Sequence, residues 1–178
     1  MALQQDLTSA RNERFKALLN PVYADCERWA YSLAQERAEA QDVLSESILA
    51  ALQGFHQLKD DGAFKQWMFR VIRNTYWQLL RSSKRWPEAM DPVELPSGAE
   101  REDDWAERED RSRAVRQVLG RLSPEQREAL VLFHVHGMSV HEVCEVLGKK
   151  NNAVRVLLHR ARQRLKELMQ DDGLGPMV

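Results

Sequence analysis

Between Ser139 and Leu165 the chain carries two amphipathic stretches separated only by Gly148-Lys149-Lys150, and that spacing leaves little choice of local fold. Ser139 and Glu142 have the spacing of a capping box, in which hydroxyl and carboxylate each satisfy a backbone N–H left free by the first helical turn. Val140, Val143 and Leu147 then share one face of a helix. Gly148 stands where the chain must turn through a left-handed conformation, and a second amphipathic helix follows at once. The pattern is a helix-turn-helix, whose second helix commonly enters a major groove.

Phase assigns the faces of that second helix. Val154, Leu158, Ala161, Leu165 and Leu168 recur at three- and four-residue steps and belong to the core. The opposite face carries Asn152, Val156, His159 and Gln163, flanked by Arg155, Arg160 and Arg162. Asn and Arg can make bidentate contacts to adenine and guanine edges, while Lys and Arg neutralise phosphates. The competing reading is a solvated polar face on an ordinary helical hairpin, the usual condition of a surface helix.

The rest of the sequence predicts an all-α chain. Leu, Ala, Glu, Arg and Gln are abundant, Gly and Pro are sparse, and no long alternating β-branched run occurs. A hydrophobic fraction of 43% is enough for a core, yet no apolar stretch approaches the roughly 20 residues of a membrane span. With no basic-then-apolar leader at the N-terminus, a cytoplasmic protein without direct membrane association is expected. Cys26 and Cys144 fall within helical patterns and read as buried small hydrophobes rather than a disulfide. His134, His136, His141 and Cys144 cluster in sequence, but the histidines straddle a predicted turn and match no standard ligand spacing, so no metal or other cofactor is expected.

The net charge of −1 conceals a division. From Glu88 to Asp110 there are ten carboxylates against Arg101 and Arg108, a net −8, whereas Ser112 to Met169 carries +6. A pI near neutrality is therefore no argument against nucleic-acid binding. The acidic stretch also holds Pro87, Pro92, Pro96 and Gly98 and few residues to bury, and reads as a flexible linker. The predicted organisation is two small helical domains, 10–86 and 112–170, joined by an acidic linker over 87–111. The tail from Gln170 to Val178 reads as frayed, with no appended domain.

In the first unit, Leu18, Leu19, Val22, Cys26, Trp29, Ala30 and Leu33 predict one amphipathic helix. A second is predicted from Ala38 to Phe55, with Val43, Leu44, Ile48, Ala51, Leu52 and Phe55 inward and Glu39, Asp42 and Glu46 outward. A third should run from near Gly62 to about Ser82, where Phe64, Trp67, Phe69, Tyr76 and Trp77 interleave with Lys65, Arg70, Arg73, Arg81, Lys84 and Arg85. Rings beside cations suit stacking on unpaired bases and gripping phosphates; the alternative is that Phe64, Trp67, Phe69 and Val71 are simply core. The second unit opens with Val115, Val118, Leu119 and Leu122 on one face. Ser123-Pro124-Glu125-Gln126 starts the next helix with an N-cap, a Pro suited to the first position and a Gln reaching back, and Leu130, Val131 and Phe133 supply its core contacts before Gly137 ends it.

These motifs resemble a bacterial sigma factor of the extracytoplasmic-function class, the minimal form that keeps only domains 2 and 4. Asp42-Val43-Leu44-Ser45-Glu46 resembles the family's acidic segment that docks on the polymerase clamp, and Phe64 to Asn74 resembles its F-[RK]-x-W-[LM]-[YF]-R-I-x-R-N signature. Leu122 to Glu128 resembles the L-P-P-E-Q-R-E opening of domain 4, and Leu158 to Leu165 its L-H-R-A-R-x-R-L close. The resemblance implies binding to core RNA polymerase, with Glu39, Asp42, Ser45 and Glu46 on the clamp and domain 4 on the flap. It implies −10 element contacts by Lys59, Phe64, Lys65, Trp67, Arg70, Arg73, Asn74, Trp77 and Arg81. The −35 contacts would come from Lys149, Asn151, Asn152, Arg155, Val156, His159, Arg160 and Arg162. The loop Leu58 to Ala63 is placed to capture a base extruded from the stack. The acidic linker would run through the polymerase's nucleic-acid channel, or serve as a plain tether. An anti-sigma factor is the further partner the resemblance implies, and no catalytic activity is expected.

Several positions depart from the family pattern. Ser45 stands where Gln is usual and Gln78 where Asp is frequent, and Ser82-Ser83 interrupt what is often a run of arginines. Ala153 replaces the usual Thr, and Val156-Leu157 a Ser-Arg pair, so two plausible DNA contacts are lost and the −35 sequence does not follow from family habit. A sigma-like decoy that sequesters an anti-sigma factor is the alternative function; the basic and aromatic residues from Phe64 to Arg85 and Arg155 to Arg164, which a decoy has no need of, favour the initiation factor. A metal-dependent enzyme lacks a carboxylate placed as general base beside a plausible ligand set.

Overall fold

The structure, a computed structural model, describes residues 2–34, 37–82 and 118–171. The predicted linker over 87–111, together with Lys84, Arg85, Val115 and residues 172–178, lies outside the described residues. Every regular element among the described residues is helical.

Helix α1 (Ala2–Leu19) meets a 3-10 turn (Asn20–Val22) and then α2 (Tyr23–Leu33). The single helix predicted here is thus two. Pro21 lacks the N–H that a continuing helix needs and its ring clashes with the carbonyl four residues back, so the chain tightens and restarts. Helix α3 (Arg37–Gly54) follows, then 3-10 turns at Phe55–Gln57 and Asp61–Ala63, and α4 (Phe64–Ser82). Helices α2, α3 and α4 pack mutually around Cys26, Trp29, Val43, Met68, Phe69 and Ile72, each with essentially no exposed surface. Two contacts lock α2 onto α4. The Trp29 indole N–H donates to the Phe69 carbonyl at 3.1 Å, and the two rings stack 5.7 Å apart, 4° from parallel.

In the second half, residues 118–120 are helical and a turn leads to Ser123, whose hydroxyl and the Gln126 amide form the predicted capping box of α5 (Pro124–Leu130). Instead of ending, α5 widens into a π-helical turn at Val131–Val135, closed by His136 N–H donating to the Val131 carbonyl. The extra residue turns Leu132 fully into the core, which leaves Phe133 half-buried and Val135 63% exposed. Helix α6 (Val140–Leu147) opens on the Ser139–Glu142 box, and Gly148 ends it at φ +64°. A Cβ has its clash with the backbone in that region, so a non-glycine residue is strained there. Helix α7 (Asn151–Asp171) buries Val154, Leu158, Ala161 and Leu168 against α5 and α6, with Leu165 half-buried.

The two halves touch. Helix α4 packs along α6, and His136 sets its ring edge-on against Phe69 at 4.8 Å and Trp29 at 5.9 Å.

Candidate nucleic-acid interface

The short turn between α6 and α7, fixed by Gly148, presents the outer face of α7 intact. Asn151, Asn152, Arg155, Val156, His159, Arg160 and Gln163 are all exposed. Arg155 donates through Nε to Asn151 Oδ1 at 2.7 Å. That bond steers the guanidinium while leaving its terminal nitrogens available for a bidentate contact to a guanine edge. Val156, 48% exposed, places an apolar patch in the middle of a polar face. Two cations of the predicted set are held aside. Lys149 pairs with Glu125 at 2.9 Å, and Arg162 lies over the Phe133 ring at 5.3 Å with Nε donating to His134 at 3.5 Å.

Helix α4 separates core from surface more sharply than its sequence does. Phe64 is 2% exposed, wedged against Phe15 and Phe55, and cannot stack on a base; its place in the predicted −10 set is corrected by its burial. Phe69 and Tyr76 are buried too, and burial pushes the Tyr76 phenol up to about 12. Arg70, Asn74 and Arg81 are exposed, whereas Gln66, Arg73 and Trp77, in line with Arg70 along the helix, are partly buried. Trp67 is half-buried, its ring 5.8 Å from Phe64. Lys65 pairs with Asp25 at 2.7 Å and sits over the Phe69 ring. Burial opposes ionisation of Asp25, but hydrogen bonds from Lys65 and Arg28 hold its carboxyl below the usual range.

The loop from Leu58 to Ala63 forms one wall of a cavity of about 460 Å³, with Lys59 and Arg70 among its lining. Asp60 Oδ1 accepts from Gly62 N–H at 2.9 Å and shapes the loop, and Asp61 is paired with Arg14 of α1. The opposite wall comes from α6, through His141, Glu142 and Glu145.

On α3, Asp42, Ser45 and Glu46 are exposed on one face, and Glu39 is half-buried. Leu49, 55% exposed, extends that face by one turn. The sequence reading passed over it, although its spacing of seven from Asp42 puts it on the outward side.

Cys26 is fully buried and burial raises its thiol to about 12, which makes it inert, whereas Cys144 is half-buried rather than core as expected. Among the described residues no three of His, Cys, Asp and Glu come together in a way that could hold a metal ion. No described helix is long and apolar enough to cross a membrane.

What carries no sequence signal is the pairing of residues across the two halves. Glu128 of α5 is 2% exposed and accepts from Arg73 Nε at 2.7 Å and from the Trp77 indole N–H at 3.0 Å. Burial raises its carboxyl above the usual range, with Arg73 and Trp77 working the other way. Glu142 accepts from Gln66, while the Ser139 N–H and hydroxyl keep its carboxyl low.

Comparison with known proteins fits this geometry. Residues 18–86 match the family model for Sigma-70 region 2, and residues 112–165 the model for Sigma-70, region 4. A probable RNA polymerase sigma factor, RfaY of Xanthomonas campestris pv. campestris, is 29% identical over 151 residues, covering 79% of this chain and 37% of RfaY. The ECF RNA polymerase sigma factor BldN of Streptomyces coelicolor is 29% identical over 97% of this chain and 67% of its own length. SigM of Mycobacterium tuberculosis, another ECF RNA polymerase sigma factor, is 28% identical over 87% of this chain and 76% of SigM. The chain thus spans little more than a third of the first relative and about two thirds or more of the other two. In fold it is similar to the sigma factor RpoE solved with the anti-sigma factor NepR from Bartonella quintana (TM-score 0.70, 24% identity, 89% of this chain and 98% of that one). It is also similar in fold to CnrH solved with the cytosolic domain of CnrY (TM-score 0.67, 24% identity, 96% and 97%). With region 2 and region 4 matched in that order and a helix-turn-helix in the second, the chain belongs to the sigma-70 family, in its extracytoplasmic-function class.

Proposed function

We propose that the protein is a promoter-specificity factor: it binds core RNA polymerase, recognises −35 and −10 elements and starts transcription, with no catalytic activity of its own. The observation that carries this reading is the exposed face of α7, where Asn152, Arg155, Val156 and His159 stand on one side of a correctly capped helix-turn-helix. In this reading α7 enters the major groove of the −35 element, with Arg155 on a guanine edge and Asn151, Asn152, His159 and Arg160 around it. Lys149 and Arg162 join them once released from Glu125 and Phe133. The domain over 10–86 holds the −10 element through Arg70, Arg73, Asn74, Trp77 and Arg81, with Lys65 and Trp67 supporting and the cavity beside Lys59 taking a flipped base. The exposed carboxylates of Asp42 and Glu46, with Glu39, Ser45 and Leu49, form the clamp-binding face, and the domain over 112–170 docks on the flap. The segment over 87–111 is the acidic connection between them. The protein works in the cytoplasm and is a target for an anti-sigma factor.

Arg155→Ala should weaken promoter binding by about 1–3 kcal/mol, relax preference at one base and leave polymerase binding intact. Asp42→Arg should do the reverse. A polymerase pull-down beside a promoter-binding assay tests both, and equal losses in both assays for both variants would contradict the assignment.

A further inference from the structure

On the outer face of α7 one side chain has no hydrogen bond to offer. Val156 is 48% exposed and, among the described residues, is the one large exposed hydrophobic of that helix. It stands two residues from both Val154 and Leu158, which are buried, so at about 100° per residue it points directly away from the core. Asn152 lies one turn before it and His159 and Gln163 one and two turns after, all exposed. Ala153, three residues before Val156, is exposed as well and adds a methyl group to the same strip. Leu157 behaves otherwise, half-buried and packed against the core.

A single valine on a surface is ordinary, but this one sits where a base edge would be met. With α7 in a major groove, Val156 is aimed at the groove floor beside Arg155, whose Nε is tied to Asn151 Oδ1 at 2.7 Å. The groove then narrows what a valine can meet. Guanine presents acceptors there, cytosine a donor and adenine one of each, and a valine pressed on any of them strips water from a polar group without returning a hydrogen bond. Thymine alone presents a methyl group, at C5. Side chains one turn apart on a helix are separated by about 5–6 Å, or roughly one and a half base-pair steps, so the polar neighbours of Val156 fall on adjoining pairs and keep water from the apolar contact.

We propose that Val156 is a specificity residue for the upstream promoter element: it selects a thymine through the C5 methyl group, within about two base pairs of the guanine held by Arg155. The proposal rests on the reading of α7 as the −35 helix and adds a base identity to it, set by apolar contact rather than by a hydrogen bond. Burial of one methyl group sets the size of the preference at about fourfold in affinity.

The test uses the full chain assembled with core RNA polymerase. Transcripts started on genomic fragments define the shared upstream element, and duplexes carrying it are rebuilt with deoxyuridine in place of each thymidine in turn, on either strand. Uracil pairs with adenine as thymine does and lacks only the C5 methyl group. At one position the wild type should bind the uracil duplex about fourfold more weakly than its thymine parent. Val156→Ala should bind the parent about fourfold more weakly than the wild type does and should no longer distinguish uracil from thymine there, whereas Val156→Ile should keep the distinction. Thermal melting by circular dichroism confirms that both variants are folded. Indifference of the wild type to every uracil, a uracil penalty that Val156→Ala retains in full, or an upstream element without an A·T pair would overturn the proposal. Arg155→Ala separates the two possible failures. If it weakens binding while no uracil does, the valine inference alone is refuted; if neither changes binding, or no new start sites arise, α7 is not the −35 helix and both readings fall.

Discussion

Lowering the pH from 7.5 to 5 should loosen the second half from the first, and His136 sets the size of the effect. Its ring meets Phe69 edge-on at 4.8 Å and Trp29 at 5.9 Å, so it is buried only while the halves are together. Burial lowers its pKa from 6.5 to about 4; Asp25 pulls it up, and Lys65 and Arg28 push it further down. Once the halves part, the imidazole returns to an ordinary value near 6.5. The open state therefore binds more protons between pH 6.5 and 4. The docked state has its full advantage above that window and loses it as the pH falls through it. For such a shift the linkage amounts to roughly 2 kcal/mol at pH 5, about 30-fold in the docking equilibrium. Glu128 contributes with the opposite sign, because burial raises its carboxyl and acid then favours the docked form. Comparison with His136→Phe, which keeps a ring against Phe69 and Trp29 but does not titrate, isolates the histidine. Radius of gyration against pH should rise more steeply on acidification for the wild type than for the variant. Identical profiles, or an NMR titration of the docked protein placing His136 near 6.5, would refute the reasoning.

Other expectations follow from single contacts. Ser139→Ala removes the hydroxyl that accepts from Glu142 N–H and should cost about 1 kcal/mol, read as a lower thermal midpoint. Gly148→Ala forces a Cβ into the left-handed region and should cost ~1–2 kcal/mol in the same assay, although nothing lies within 4 Å of the added atom. Trp29→Ala should destabilise by about 3–5 kcal/mol in denaturant unfolding, since it empties a fully buried site and leaves the Phe69 carbonyl without its indole donor.

What was legible in the sequence was local. The two capping boxes, the left-handed Gly148 and the buried phase of Val154, Leu158 and Ala161 depend on residues within one or two turns of each other, and the structure has them as read. Two local features escaped. The break at Pro21 is hidden because the apolar spacing runs straight through it, and the π turn at Val131–Val135 changes phase without any Gly or Pro to announce it. On α4, periodicity alone could not separate Phe64, which finds Phe15 and Phe55, from Trp67, which remains half-exposed. The Glu128–Arg73 and Glu142–Gln66 contacts span 55 and 76 residues and have no periodic trace, so only the folded chain reveals them.

The central claim is most directly tested by in vitro transcription: core RNA polymerase, this protein and fragments of genomic DNA, with the 5′ ends of transcripts mapped in the presence and absence of the protein. The account predicts discrete new start sites that share a pair of upstream elements and that diminish with Arg155→Ala. Polymerase binding without any new start would contradict it in favour of a decoy, and no binding to core polymerase would contradict it outright.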